Sequence, residues 1–396
     1  MDGSGLPRNR EDRPGVIYIT YDGIDEPLGR SQVLAYLLHL ARTCDIHLIS
    51  FEKSLENFAE LNSLTAAANI SWIPLTYTAS PPVLSTAHDV RRGIRAIRRA
   101  RRELKGPVIL HARSYVPALM AVRSGLDAET RFLFDIRGFW ADERIEAGLW
   151  RKGSLYRTAK RYEREFFANA DAVVTLTKRS TAVIEDWLGA RRVPVTVIPT
   201  CVDLERFSVV LDRNDEPPRS VWLGSTIGWY DFEAGTRIAD LLGFDLLVVT
   251  RDQAAARSAL GDRQGSLRSA EPNTVPAMLR SGDVGLCTVR PSFSKIASAP
   301  TRMAEYLAAG MPVAGLSGVG DMDEILGEGV GALADSAEPS SFGRCAARLR
   351  GLVDDSETTA RCRKLAAERF SLDAGIEKYS SVYRELLAGQ RKERRH

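Results

Sequence analysis

Short apolar, β-branched runs alternate with helical stretches along most of the chain. Runs that read as strands lie at 16–21, 45–51, 70–75, 107–111, 131–136 and 172–177. After the segment 195–203 the series starts again at 220–225, 245–250, 284–289 and 312–316. Strands separated by helices predict parallel sheets covered on both faces, and two such series predict two doubly wound α/β domains. The polar break 211–220 predicts a linker. The domains are therefore set at 1–208 and 220–375, with a linker at 209–219 and a helix with a basic tail at 376–396. The last helical stretch, 373–389, can pack on either domain. In open α/β sheets ligands bind beyond the carboxyl ends of the strands, so two facing sheets put the expected site in the cleft between them.

The segment 298–315 stands out within this pattern. A small, apolar helix carries Arg302 and Glu305 one turn apart, stops at Gly310 and runs into a strand. Pro300 suits a first turn and Ser298 is a candidate cap. The first-turn N–H groups favour an anion, and Arg302 adds a full charge and a forked donor for phosphate. Glu305 lies on the same face, with Ala308 and Ala309 leaving room beside it. A carboxylate next to a phosphate site accepts from sugar hydroxyls. The spacing fits a nucleotide site equally as well as a solvated Arg–Glu pair.

Composition narrows the class. The chain has 396 residues, 44% hydrophobic and 27% charged, with a net charge of +3. That range is ordinary for a soluble globular protein and does not suggest a nucleic-acid binder as a whole. Five cysteines, an odd and scattered set without a CxxC pair, argue against a disulfide framework or zinc site and fit a reducing cytosol. The polar N-terminus has no apolar core for a signal peptide, and no run of about 18 apolar residues exists. Charge is concentrated at 89–105 and 391–396. In the former, Val90, Ile94, Ile97 and Leu104 form a stripe that can pack on a sheet. The basic remainder, including Arg95, Arg98, Arg99 and Arg102, is either a solvated face or a contact for anionic lipid. No aromatic residues interleave for stacking bases.

Further candidates follow strands. Gly29, in the loop 26–32, allows close backbone approach to a phosphate, and Ser31 can cap the helix that follows. Gly224 and Ser225 can turn backbone N–H groups towards phosphate. His111 ends a strand and is either a ligand contact or structural. Asp321 and Asp323 have the form of a metal-binding DxD, but sit in a turn before a helix, where acids cap; no metal is assigned to them.

Six segments in order, 21–41, 134–144, 197–207, 222–230, 300–315 and 318–333, resemble family 4 glycosyltransferases. Within that family they are most similar to members with a "DPLGQSQV"-like N-terminal loop, often associated with exopolysaccharide or capsule assembly. The resemblance implies a GT-B fold and retaining sugar transfer from a nucleotide-diphosphate sugar, with no bound metal and no cofactor. It implies that Glu305 holds the donor ribose and that the loop with Gly29 and Arg30 faces the diphosphate. The family usually has a second glutamate eight residues earlier, where this chain has Ala297; Ser298 and Thr301 are candidate substitutes. Lys295 and Arg302 are candidates for the diphosphate clamp. Arg137 stands where many relatives place a cleft histidine, and with His111 forms the expected catalytic pair; Arg137 can also pair with Asp135. The implied acceptor is a hydroxyl, on a lipid-linked glycan at the inner face of the cytoplasmic membrane. A non-catalytic binding scaffold and a sugar-nucleotide epimerase are the competing classes.

Overall fold

A computed structural model describes residues 13–207, 217–269, 271 and 274–389. Seven strands form the first sheet: β1 (Gly15–Thr20), β2 (Asp45–Glu52), β3 (Ser71–Thr76), β4 (Val108–Arg113), β5 (Thr130–Asp135), β6 (Ala172–Thr175) and β7 (Val195–Val197). Their order is β3-β2-β1-β4-β5-β6-β7, with parallel pairing throughout. Six more form the second: β8 (Arg219–Leu223), β9 (Asp245–Val249), β10 (Ser266–Arg268), β11 (Val284–Cys287), β12 (Val313–Leu316) and β13 (Gly331–Ala334). Their order is β10-β9-β8-β11-β12-β13, also parallel. The expected two doubly wound sheets are present. Strands β10 and β13 were not anticipated: one is a three-residue edge, the other reads Gly-Ala-Leu-Ala, a weak strand former.

Both sheets reverse their winding beside their first strand, between β1 and β4 and between β8 and β11. These switch points are where ligands enter such folds. The central strands are buried on both faces, as in Val16, Ile17, Ile19, Ile109 and Leu110 of the first sheet. In the second domain, fully buried Tyr306 seats the helix Thr301–Ala309 on the sheet. Its hydroxyl accepts from the Leu223 N–H at 2.8 Å and lies 3.1 Å from the Val221 carbonyl. Gly285 makes room for this ring, since a Cβ there would sit 2.2 Å from it. Gly310, with φ +85°, ends the helix in the left-handed conformation. Ala308 and Ala309 are buried with Cys362, Leu365 and Ala366 in one apolar cluster, so their small size serves helix packing.

The chain crosses between domains a second time at 370–372. Val202 N–H donates to the Phe370 carbonyl at 2.8 Å, and Leu372 N–H to the Val202 carbonyl at 2.9 Å. The helix Leu372–Ala388 then returns to the first domain, burying Leu372, Tyr379, Val382, Tyr383 and Leu386 against it. The basic tail 391–396 and residues 209–216 of the expected linker lie outside the described residues. All five cysteines are buried free thiols.

A segment of the second domain plugs into the first. Ala297 is fully buried in the cluster that contains Phe139, Phe166 and Ile184 of the first domain, with Ile296 beside it. Phe293 stacks on Phe139 at 5.4 Å. The Glu146 carboxylate accepts from the Ser294 N–H at 3.0 Å and from the Ser292 and Ser294 hydroxyls. Thr177 and Thr200 hydroxyls donate to the Ile296 and Ala299 carbonyls at 2.7 and 2.6 Å. Asp321 caps the first-domain helix Lys178–Leu188, accepting from the Lys178 and Arg179 N–H groups at 2.7 and 3.0 Å. Asp323 accepts from Gly318 N–H at 2.8 Å and from the Ser317 hydroxyl. Of the two acids of the DxD-like tripeptide, Asp321 thus caps a helix across the domain boundary and Asp323 ties the turn before its own helix. Ala297→Glu would bury a carboxylate in this apolar contact. It is expected to destabilise the protein by about 3 kcal/mol or more, read as a lowered denaturant midpoint; an unchanged midpoint would mean the plug is not seated as described.

Candidate functional site

A cavity of about 460 Å³ lies between the two sets of strand ends. One wall follows β1 and includes Arg30 and Gln32; the other follows β8 and β9 and includes Gly224, Thr250 and Arg251, with Thr301 and Glu305 from the helix start. Cys201, Val202 and Leu372, at the two crossings, close its back.

Arg302 packs immediately behind this wall. It is 5% exposed, and among the described residues no carboxylate lies within ion-pair distance of it. Its guanidinium lies 3.8 Å from the centre of the Tyr230 ring and 4.9 Å from that of Trp222. Nη1 is buried with no hydrogen-bond partner among the described residues. The aromatic faces hold the cation in place, yet a buried charge without a counter-ion is costly unless an anion completes it. Gly224, at φ +93°, leaves space for it: a Cβ there would meet Nη2 at 2.9 Å. Glu305, one turn on, makes no hydrogen bond among the described residues. Desolvation, opposed by Arg206 and Arg302, pushes its carboxyl up to about 7. The sequence expectation for Arg302 and Glu305 therefore coincides with an electrostatically incomplete corner of the cavity.

Other expected contacts are placed differently. Gly224 donates its N–H to the Val249 carbonyl at 2.8 Å, so its role is room for Arg302 rather than a phosphate N–H. Ser225 is exposed and its hydroxyl accepts from Ile227 N–H at 3.2 Å. Gly29 has ordinary helical φ and its missing Cβ makes way for the Gly23 carbonyl, 1.9 Å from where it would be; the loop needs Gly29 for its own packing. Arg30 lines the cavity, but its charge is matched by Asp25 at 3.3 Å and Glu60 at 2.9 Å. Ser31 donates to the Pro27 carbonyl at 3.0 Å and caps nothing, because the helix begins at Pro27. The helix Thr301–Ala309 has Pro300 as its cap residue; Ser298 instead donates its N–H to the Lys295 carbonyl at 3.1 Å. Lys295 is 4% exposed, paired with Glu143 at 2.7 Å and 3.8 Å from the Trp229 ring centre. Its charge is already matched, which leaves Arg302 alone as the open cation of the expected clamp.

The expected catalytic pair resolves into a buried network. His111 is 1% exposed. Asp135, fully buried, is held below the usual carboxylate range by Arg137, His111 and Arg113 against its own desolvation, and so accepts only. The imidazole Nε2, at 3.3 Å from Asp135, therefore carries the proton, and Nδ1 accepts from the Tyr383 hydroxyl at 2.7 Å. Tyr379 donates to Asp135 at 3.0 Å. Both ring nitrogens of His111 are occupied, so it acts as a strut between sheet and C-terminal helix, in place of the expected ligand contact. Arg137, 12% exposed at its side chain, contacts Asp135 at 3.4 Å; the structural pairing weighed from the sequence is present. The arginines expected at a lipid surface divide similarly. Arg98 donates to the Ser124 carbonyl at 2.8 Å and Arg99 pairs with Glu103 at 3.0 Å, although the residues of this face, Arg95 and Arg102 included, are exposed.

Sequence reasoning missed Gln32, Arg206, Thr250 and the Cys201 segment. Gln32 had a legible signal, because it stands four residues before Tyr36 on the buried side of its helix.

Residues 31–206 match the sequence family Glycosyltransferase Family 4. No curated protein matches the chain in sequence. Sucrose-phosphate synthase from Thermosynechococcus elongatus superposes with a TM-score of 0.68 at 14% identity, over 95% of this chain and 100% of that one. A glycosyltransferase from Rickettsia africae gives 0.68 at 11% identity, over 96% and 100%. The fold is GT-B. Anabaena HepE, in complex with UDP and glucose, gives 0.67 at 14% identity, over 94% and 100%. The GT-B cleft is thus where the open cation and the raised carboxyl meet.

Two pH effects follow. Glu305 binds a proton more readily folded than unfolded, so its ionised form opposes folding above about pH 7, and this penalty disappears as pH falls through that value. Glu305→Gln should then raise stability at pH 8 by roughly 1–3 kcal/mol, and little at pH 5, in parallel urea titrations. Burial lowers the His111 pKa, so the unfolded chain takes up the proton first and stability declines as pH falls below about 6.5. His111→Gln should flatten that decline; an identical pH profile would contradict the neutral strut.

Proposed function

We propose that the protein is a glycosyltransferase that moves a sugar from a nucleotide diphosphate to a hydroxyl acceptor. The observation that carries this reading is the buried Arg302 guanidinium, without a counter-ion among the described residues, directly behind the wall of a cleft lined by Thr301 and Glu305. A diphosphate completes the charge of Arg302, and ribose hydroxyls one turn along meet the Glu305 carboxylate. The match to Glycosyltransferase Family 4 and the likeness to HepE, whose structures hold UDP or UDP-glucose, support a nucleotide-sugar ligand.

The proposed reaction is retaining, by same-face displacement through an oxocarbenium-like state. The acceptor oxygen bonds to the anomeric carbon as the bond to the diphosphate oxygen breaks, and the acceptor proton leaves towards that diphosphate. Arg302, with Arg137 nearer the first domain, stabilises the charge that develops on the leaving group. The interdomain plug keeps the two walls in register. Arginine charge serves in place of a protein-held metal in this scheme.

The proposed acceptor is a lipid-linked glycan of a cell-surface polysaccharide, in keeping with the exopolysaccharide-type resemblance. The helix Pro82–Glu103 supports a peripheral membrane contact, since its apolar stripe is buried while Arg91, Arg95, Arg98, Arg99 and Arg102 face outwards. Each such charge near an anionic surface contributes about 1 kcal/mol. No helix among the described residues is long and apolar enough to cross a membrane. A second reading, a non-catalytic nucleotide-binding scaffold, is favoured by Lys295 and Ala297 being held by the first domain.

Thermal stabilisation by a panel of nucleotide-diphosphate sugars, with and without magnesium, tests the main reading. A shift of several degrees with one donor, unchanged by magnesium, is expected; no shift with any donor would sink it, and binding without transfer or hydrolysis would favour the scaffold. Replacing Arg95, Arg98, Arg99 and Arg102 with Gln should abolish co-sedimentation with vesicles rich in anionic lipid. Equal sedimentation of this variant and the wild type would remove the membrane contact.

A further inference from the structure

Gln32 is the other incomplete polar group of the cleft. It lies in the π-helical turn Arg30–Leu34, a local widening of the helix that follows β1. Such turns occur frequently at functional sites. The side chain is 2% exposed and lines the interdomain cavity. Its Nε2 donates to the Cys201 carbonyl at 2.8 Å, which fixes the orientation of the amide, because only the NH₂ end can donate to a carbonyl. Cys201 is fixed in turn, its N–H donating to the Tyr36 hydroxyl at 3.2 Å. The remaining atom, Oε1, is buried and has no partner among the described residues. A buried acceptor left unmatched is a standing cost, and an amide locked by its other end cannot turn away from it.

Resting on the nucleotide-sugar reading, we infer that Gln32 Oε1 is a specificity contact that accepts a hydrogen bond from a hydroxyl of the bound nucleotide sugar. Arg302 and Gln32 then divide the recognition. The first takes the anion, and the second, an acceptor without charge, takes a hydroxyl and rejects a ligand with only an acceptor or an apolar group at that place. Such a contact discriminates more by what it leaves unmatched in the wrong ligand than by the bond it forms. Gln32 also ties the cavity to the crossing segment, because the carbonyl it holds belongs to the chain that joins the domains.

The test is calorimetric titration of wild type and Gln32→Met with UDP-glucose and its GDP and ADP counterparts. The donor that binds is then compared with analogues lacking one ribose or sugar hydroxyl each. Gln32→Met should weaken the intact donor about ten-fold or more. For one deoxy analogue that penalty should vanish, because the partner hydroxyl is already gone. Melting of the ligand-free variant separates any effect transmitted through Cys201, which would weaken every analogue alike. Unchanged affinity for the intact donor, or an equal penalty across all analogues, overturns the inference while leaving the nucleotide-sugar reading in place. A wild type that binds none of these nucleotides overturns that reading itself, and the assignment of Gln32 with it.

Discussion

The arrangement depends on the seating of segment 292–299 of the second domain in the first. Burial of Ile296 and Ala297, the stack of Phe293 on Phe139 and the hydrogen bonds of Glu146, Thr177 and Thr200 set how the two sheets face. The second crossing at 370–372 returns the last helix to the first domain and fixes the back of the cleft. With both in place, the carboxyl ends of β1 and β8 meet across a space of ligand size. Neither domain alone could assemble the cavity, since its walls come from both.

Within that frame the chemistry is one of unmet demand. A buried guanidinium held by aromatic faces lies directly behind the cavity wall, while a carboxyl pushed up to about 7 and an amide whose oxygen has no donor among the described residues belong to residues that line it. Each is a standing cost to the protein, and in the proposed reading each is relieved by a different part of a nucleotide sugar: anion, ribose hydroxyl, further hydroxyl. Preorganised groups of this kind lose little on binding and are worth more in a water-poor site than at a surface. By contrast, Lys295, Arg30 and His111 are already satisfied within the protein, Arg30 at the cavity wall and the other two away from it.

The alternation of apolar runs made the two-sheet architecture readable, and the Arg302–Glu305 spacing pointed to a helix whose Thr301 and Glu305 line the cavity. Strands β10 and β13 escaped because a three-residue edge with a single apolar position, or a run of small residues, carries no period-two signal. Pairings over long separations were equally hidden. Glu143 meets Lys295, and Asp321 caps a helix more than a hundred residues earlier, so a cation that looks available in sequence is spoken for in the fold. Glycines misled in a similar way: Gly29 and Gly224 are small because of Gly23 and Arg302, which no local pattern reveals. Gln32 was legible in principle as a polar residue on an apolar helix face, but its free oxygen depends on a carbonyl 169 residues away.

The central claim is that an anion completes Arg302 in the interdomain cleft. Its most direct test is titration of UDP and of inorganic pyrophosphate into wild type, Arg302→Lys and Arg302→Gln. Wild type should bind UDP, with Arg302→Gln weakened about 100-fold and Arg302→Lys in between, as expected for loss of a charged hydrogen-bond donor. Equal affinity in all three proteins would contradict the account.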